Sequence, residues 1–194
     1  MRYALVVSSS PPTNPDPFPP FDVVSSERLY DSAWVGLRRD HLRLPDGSDQ
    51  EYHVVEIDDA VCVLPIRSDG RVILIGQHRH PHGKTHWECP AGRLEPEELP
   101  ADAARRELRE ETGYRAGELT ELPGFYPING ISDHWAHVFA ATNCVLEGEL
   151  QLDPSERIVV RDFSLDEVEA LVRAGMIQDG FTRIALHHLR EFAG

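Results

Sequence analysis

The chain has 194 residues, 41% of them hydrophobic and 27% charged, which suffices for one domain with a sizeable core, or one domain with a small appended lobe, and not for two large ones. Nineteen basic against 33 acidic side chains leave a formal charge of −14, which argues against a general hold on nucleic acid phosphates or anionic membranes. A phosphate-bearing ligand must then be held by local arginines or by metal ions. Cys62, Cys89 and Cys144 lie far apart without a CxxC pair, so neither a disulfide framework nor a zinc knuckle is indicated. The apolar run Tyr3–Val7 is too short for a signal sequence or a membrane span, and the expected compartment is the cytoplasm.

In chain order, residues 1–20 form a Pro-rich arm, since the prolines between Pro11 and Pro20 sustain neither a helix nor a paired strand. Residues 21–59 predict a small antiparallel sheet. Its segments are Trp34–Arg38, His41–Leu44 and Tyr52–Val55, with a turn at Pro45-Asp46-Gly47. Residues 60–194 then form the main domain. It opens with apolar strands at Ala60–Pro65 and Arg71–Gly76, joined through Asp69-Gly70, a hairpin signal. A helix is expected over Ala101–Thr112, stopped by Gly113. Further strands are expected around Leu119–Phe125, Ala136–Ala141 and Ile158–Phe163. Ser164 and Glu167 form a capping box for a second helix through Arg173, and a last helix follows Asp179-Gly180. The order of elements predicts an α/β sandwich with a mixed sheet.

The stretch GRLEPEELPADAARRELREETGY, Gly92 to Tyr114, gathers seven carboxylates around one short helix. Glu107 and Glu111 are i and i+4 on one face, with Glu110 flanking it, and such a cluster repels itself unless a cation compensates. Carboxylate oxygens are hard ligands, which points to Mg²⁺, with Mn²⁺ as a substitute, rather than zinc. A solvated acidic helix balanced by Arg105, Arg106 and Arg109 is the competing reading.

The spacing decides between them. Gly92, Glu98, Arg106-Glu107-Leu108, Glu110-Glu111 and Gly113 fall at the fixed positions of the Nudix box, and Tyr114 stands where that family usually has an aliphatic residue. Trp87-Glu88-Cys89-Pro90-Ala91-Gly92, Gln77-His78-Arg79 upstream and Tyr126–Ser132 downstream resemble the ADP-ribose pyrophosphatase and nucleotide-sugar branch of that family. The resemblance implies an α/β/α sandwich preceded by an N-terminal sheet that takes part in a homodimer. It implies hydrolysis of a nucleoside diphosphate derivative, ADP-ribose to AMP and ribose 5-phosphate, or a nucleotide sugar such as GDP-mannose. It assigns Glu107, Glu111, Glu110 and the Ala91 carbonyl to the metal, Arg106 and Glu98 to a supporting ion pair, and Arg79, Glu88 and Arg93 to substrate. The general base is left between Glu110 and Glu156, the latter in the polar loop Leu150–Arg157. An exposed Glu156 paired with Arg157 is the plain alternative. A non-catalytic ADP-ribose-sensing domain is the rival class; the complete set of box carboxylates, and the lack of a second domain with a basic recognition helix, count against it.

Other residues keep two readings at this stage. His78, His80, His82 and His86 are surface residues of an extended segment or a metal cluster. His134 and His137 contact substrate or are satisfied within the fold, and Trp34 and Trp135 stack on a nucleobase or fill the core.

Overall fold

The computed structural model describes residues 19–192, so all but the last two residues of the expected Pro-rich arm lie outside the described part. Strands β1 (Asp22–Tyr30), β2 (Gly36–Arg43) and β3 (Asp49–Glu56) form an antiparallel sheet in that order. The Pro45-Asp46-Gly47 turn is present, with Gly47 at φ 85° and the Asp46 carboxylate accepting from the Ser48 N–H. Two segments read as separate, Trp34–Arg38 and His41–Leu44, belong to the single strand β2, and β1 was not foreseen. The reason is visible in its burial: all nine β1 residues are exposed, so its sequence carries no inward apolar stripe. Polar contacts hold the sheet instead. Asp40, buried on β2, accepts from Ser26 at 2.6 Å and Arg38 at 2.9 Å, and Arg38 also reaches Glu56 at 2.5 Å.

The larger sheet carries the core. Strands β4 (Ala60–Arg67) and β5 (Val72–Arg79) are joined by the expected Asp69-Gly70 turn, with Gly70 at φ 82°. They pair directly only at Ile66 and Val72 and then diverge. Beyond that point β6 (Lys84–Glu88) runs beside β5, and β7 (Ala91–Arg93) beside β4, with Cys89-Pro90 between them. β8 (Tyr114–Arg115) and β9 (Glu118–Phe125) pair with β10 (Ala136–Leu146), which lies parallel to β4, and β11 (Ile158–Phe163) closes the other edge on β5.

Helix α1 (Pro100–Thr112) covers one face of this sheet, and α2 (Leu165–Arg173) with α3 (Gly180–Phe192) the other. That explains why β4 and β5 read as continuous apolar runs. Val61, Val63 and Ile73 pack toward Ala103, Ala104 and Leu108 of α1, whereas Cys62, Leu64 and Leu74 pack toward Val168, Ala185 and Leu186 of α2 and α3. The architecture is the expected α/β/α sandwich with a mixed sheet. Pro100 opens α1 and Gly113, at φ 72°, ends it by donating to the Arg109 carbonyl at 2.8 Å. The Ser164–Glu167 capping box is present on α2.

Candidate functional site

The site begins on α1, where helical spacing puts carboxylates on two sides of one arginine. Arg106 forks onto Glu98, its Nε and Nη2 each donating at 2.8 Å to a different oxygen, and Nη1 donates to Glu107 at 2.6 Å and Glu110 at 3.3 Å. Nη2 also donates to the Arg93 carbonyl, which ties the helix to β7. The forked bond holds the Glu98 carboxyl below the usual carboxylate range and pushes the guanidinium further up. Glu110 is more open, with 30% of its side chain exposed.

One turn further, Glu111 is in a different environment. Only 1% of it is exposed, and it accepts from the Ala91 N–H at 2.9 Å. Burial pushes its pKa up to about 8, and the charges of Glu107 and Glu156 push the same way, against that bond and the more distant Arg79. Burial also raises Glu107, with Glu110 and Glu156 opposing its ionisation and Arg106 favouring it. Gly92 makes room for this arrangement: a Cβ there would come within 1.9 Å of the Glu107 Oε1.

Buried, mutually repelling carboxylates that offer only hard oxygens are the donor set a divalent cation such as Mg²⁺ or Mn²⁺ takes, and the residues fit such an ion. Glu107 is held by Arg106 in the structure, and among the described residues no three such groups form a closed cage.

A cavity of about 620 Å³ lies where β4 and β5 diverge, reaching from Glu88 and Ala91 to His134 and Phe181. It brings Arg79, Glu88, Ala91 and Arg93 together, whereas Glu98, Arg106, Glu107, Glu110, Glu111 and Glu156 are not among its lining residues. The three residues assigned to substrate are already partly engaged. Arg79 donates to Glu88 through Nη2 at 2.7 Å and Nε at 3.0 Å, so the buried Glu88 orients Arg79 rather than facing a ligand freely. Arg93 lies over the Trp34 ring at 4.4 Å and donates to the Ala33 and Trp34 carbonyls, linking the cavity wall to the N-terminal sheet.

The Glu156 carboxylate accepts from the Asp153 N–H at 2.8 Å, while the Glu156 N–H donates to the Asp153 carbonyl at 2.9 Å. That reciprocal turn, not an Arg157 ion pair, is the contact that sets its position. The pairing of Ile158 with Gln77 brings Glu156 to the Arg79 end of β5. Trp34 is 70% exposed, so it is not a core aromatic. Trp135 is half-buried against Tyr126, and His137 lies 3.6 Å from Glu121. Of the histidine run, His78 and His80 are exposed, while His82 and the buried His86 meet edge to ring at 4.8 Å in the cavity wall. Gln178, Asp179 and Phe181 were missed as lining residues. They come from the connection into α3 and the first turn of that helix, where the only sequence signal was a helix start.

A model of the NUDIX domain matches residues 56–183, and the nucleoside diphosphate sugar hydrolase N-terminal domain matches residues 21–55. The chain belongs to the Nudix hydrolases. This Nudix hydrolase is 34% identical over 168 residues to the ADP-ribose pyrophosphatase of Bacillus subtilis, covering 86% of this chain and 91% of that protein. It is 38% identical over 123 residues to the ADP-ribose pyrophosphatase of Mycobacterium tuberculosis, covering 63% of this chain and 59% of that one. A crystal structure of an ADP compounds hydrolase superposes with a TM-score of 0.78 at 21% identity, over 89% of this chain and 93% of that one, so the two share the fold.

Proposed function

We propose that this Nudix hydrolase cleaves the diphosphate of a nucleoside diphosphate joined to a sugar, with ADP-ribose, giving AMP and ribose 5-phosphate, as the first candidate. GDP-mannose or another nucleotide sugar is the nearest rival. The observation that carries this reading is that Ala91 and Gly92, which touch Glu111 and Glu107 of α1, line a cavity that also holds Arg79 at the same end. The ADP-ribose pyrophosphatases among its relatives support the choice of substrate.

Glu107, Glu111, Glu110 and the Ala91 carbonyl would hold Mg²⁺, or Mn²⁺ in its place. When bound, the ion neutralises diphosphate charge and lowers the pKa of a water. Arg79, steadied by Glu88, would pair with phosphate oxygens, and Arg93 would steady the wall beside it. Arg106 and Glu98 keep α1 and β7 in register. Water attacks one phosphorus as the bridging P–O bond breaks, and its proton passes to a base. Glu156 is favoured for that role because its charge bears on both Glu107 and Glu111; Glu110 is the rival and is engaged by Arg106.

The N-terminal sheet would act in assembly. Val23, Val24, Leu29 and Tyr30 stand exposed on β1, an apolar edge suited to a second copy of this chain. Sedimentation at micromolar concentration should give a dimer; a monomer would contradict this. No helix among the described residues is long and apolar enough to cross a membrane, in keeping with a cytoplasmic enzyme. Division into an arm at 1–20, an assembly unit at 21–59 and a catalytic unit at 60–194 follows from this reading.

The test is turnover with Mg²⁺ against ADP-ribose, GDP-mannose, diadenosine polyphosphates and dNTPs. ADP-ribose or a nucleotide sugar should lead in kcat/KM. Binding of ADP-ribose without hydrolysis of any substrate would favour the sensing alternative.

A further inference from the structure

The cavity has a second end that the box carboxylates do not explain. Ala91 pairs with Cys62, and His134 is bonded to Asp58, four residues back along the same chain, so roughly 13 Å of extended backbone separate the two. A diphosphate at the carboxylate end leaves His134 facing the group joined to it. Ile57 and Phe181 line this end as well, the Phe181 ring lying 6.2 Å from the imidazole.

His134 is 7% exposed, and its Nδ1 lies 2.6 Å from the Asp58 carbonyl oxygen. A carbonyl only accepts, so Nδ1 carries the proton of that bond, and in this tautomer Nε2 is the nitrogen with the lone pair. Nε2 makes no hydrogen bond within the described residues. The backbone around the ring is tied down on three sides. Val55 donates to the Ile131 carbonyl at 2.7 Å, the His134 N–H donates to Ser132 Oγ at 3.1 Å, and the Trp135 N–H donates to Asp59 at 2.8 Å. A fixed acceptor open to a cavity favours a ligand that brings a hydrogen to it over one that offers only another acceptor.

We propose that His134 is a specificity-determining residue, its Nε2 accepting a hydrogen bond from a hydroxyl of the sugar joined to the nucleoside diphosphate. This rests on the hydrolase reading given above. Phe181 offers the apolar face of the sugar ring a flat surface, and the imidazole reads the hydroxyl at its edge.

Two substitutions separate this role from a structural one. In His134→Asn the side-chain amide reaches the Asp58 carbonyl in place of Nδ1 and ends short of Nε2. In His134→Gln the amide extends to the Nε2 position and the Asp58 bond is lost. With ADP-ribose and Mg²⁺, His134→Asn should raise KM about 3- to 10-fold with kcat little changed, and His134→Gln should stay near the parent. Calorimetric Kd values for ADP-ribose should follow the same order. The reverse order, in which Asn behaves as parent and Gln is impaired, makes His134 a loop anchor and overturns the proposal, as do equal KM values in all three proteins. A parent that binds ADP-ribose without hydrolysing it sinks the substrate reading alone, since the Kd series then decides the role of Nε2. A parent that neither binds nor hydrolyses it overturns both.

Discussion

The turn leading into α1 and the last turn of that helix each carry a glutamate and treat it in opposite ways. In the first, Glu98 is forked by Arg106 and its carboxyl is held below the usual range. In the second, Glu111 has one backbone N–H and no adjacent cation, and its pKa is driven up to about 8. The difference teaches that position relative to Arg106, rather than carboxylate count, separates the acids that hold the scaffold from those that call for a cation. The following experiments act on that contrast.

The largest effect is expected at the two buried acids proposed to hold the cation, Glu111 without a cation partner and Glu107 shared with Arg106. Glu111→Gln and Glu107→Gln should each lower Mg²⁺-dependent kcat by about 10²- to 10³-fold. In EDTA Glu111→Gln should be no less stable than the parent, because it relieves repulsion, whereas Glu107→Gln also gives up the charge-assisted bond from Arg106 and should gain nothing. Near-normal turnover in both variants would erase the distinction between the two kinds of acid.

Arg106→Gln attacks the compensation itself. It strands Glu98 and Glu107, whose side chains are 15% and 11% exposed, next to Arg106 at 19%. Urea denaturation should show a loss of about 3 kcal/mol, the scale for breaking a buried pair by removing one partner. An unchanged midpoint would mean that the network is as weak as a surface ion pair.

Glu156→Gln should lower kcat by roughly 10²-fold with little change in KM, whereas Glu110→Gln should cost less. The opposite result would move the base onto α1 and make Glu110 the functional acid beside the structural Arg106.

Per pH unit, the smallest signal is in the pH dependence of stability. In EDTA the native protein holds a proton on Glu111 up to about pH 8, while the unfolded chain releases it near its ordinary value of 4.5. The native state therefore binds more protons across that window. Its stability is fully present below pH 4.5 and falls as pH rises toward 8, by about 1.4 kcal/mol per unit at most from this group. Thermal melts in EDTA should show the slope flattened in Glu111→Gln. A parental slope in that variant would place the raised pKa elsewhere.

Much of the site was legible because the box lies on one helix. Glu107 and Glu111 share a face from i, i+4 spacing alone, and their burial beside one another is what the structure adds. The role of Glu88 was not, since its partner Arg79 sits nine residues away on the neighbouring strand and the pairing exists only because β6 folds back on β5. Strand β1 was illegible for another reason: a strand that buries nothing in the isolated chain has no periodicity to read.

The amino-acid sequence by itself determined the family, the sandwich class, the box helix with its caps, and which acids share one face of that helix, because each rests on local spacing. Tertiary structure alone decided which end of the cavity each remaining group serves. His134 and Phe181 meet across 47 positions of sequence, and Glu156 comes beside Arg79 through the pairing of β11 with β5. Burial and long-range contact set the Glu111 pKa, the orientation of Arg79 and the free nitrogen of His134, and none of these is a property of a neighbouring residue in the chain.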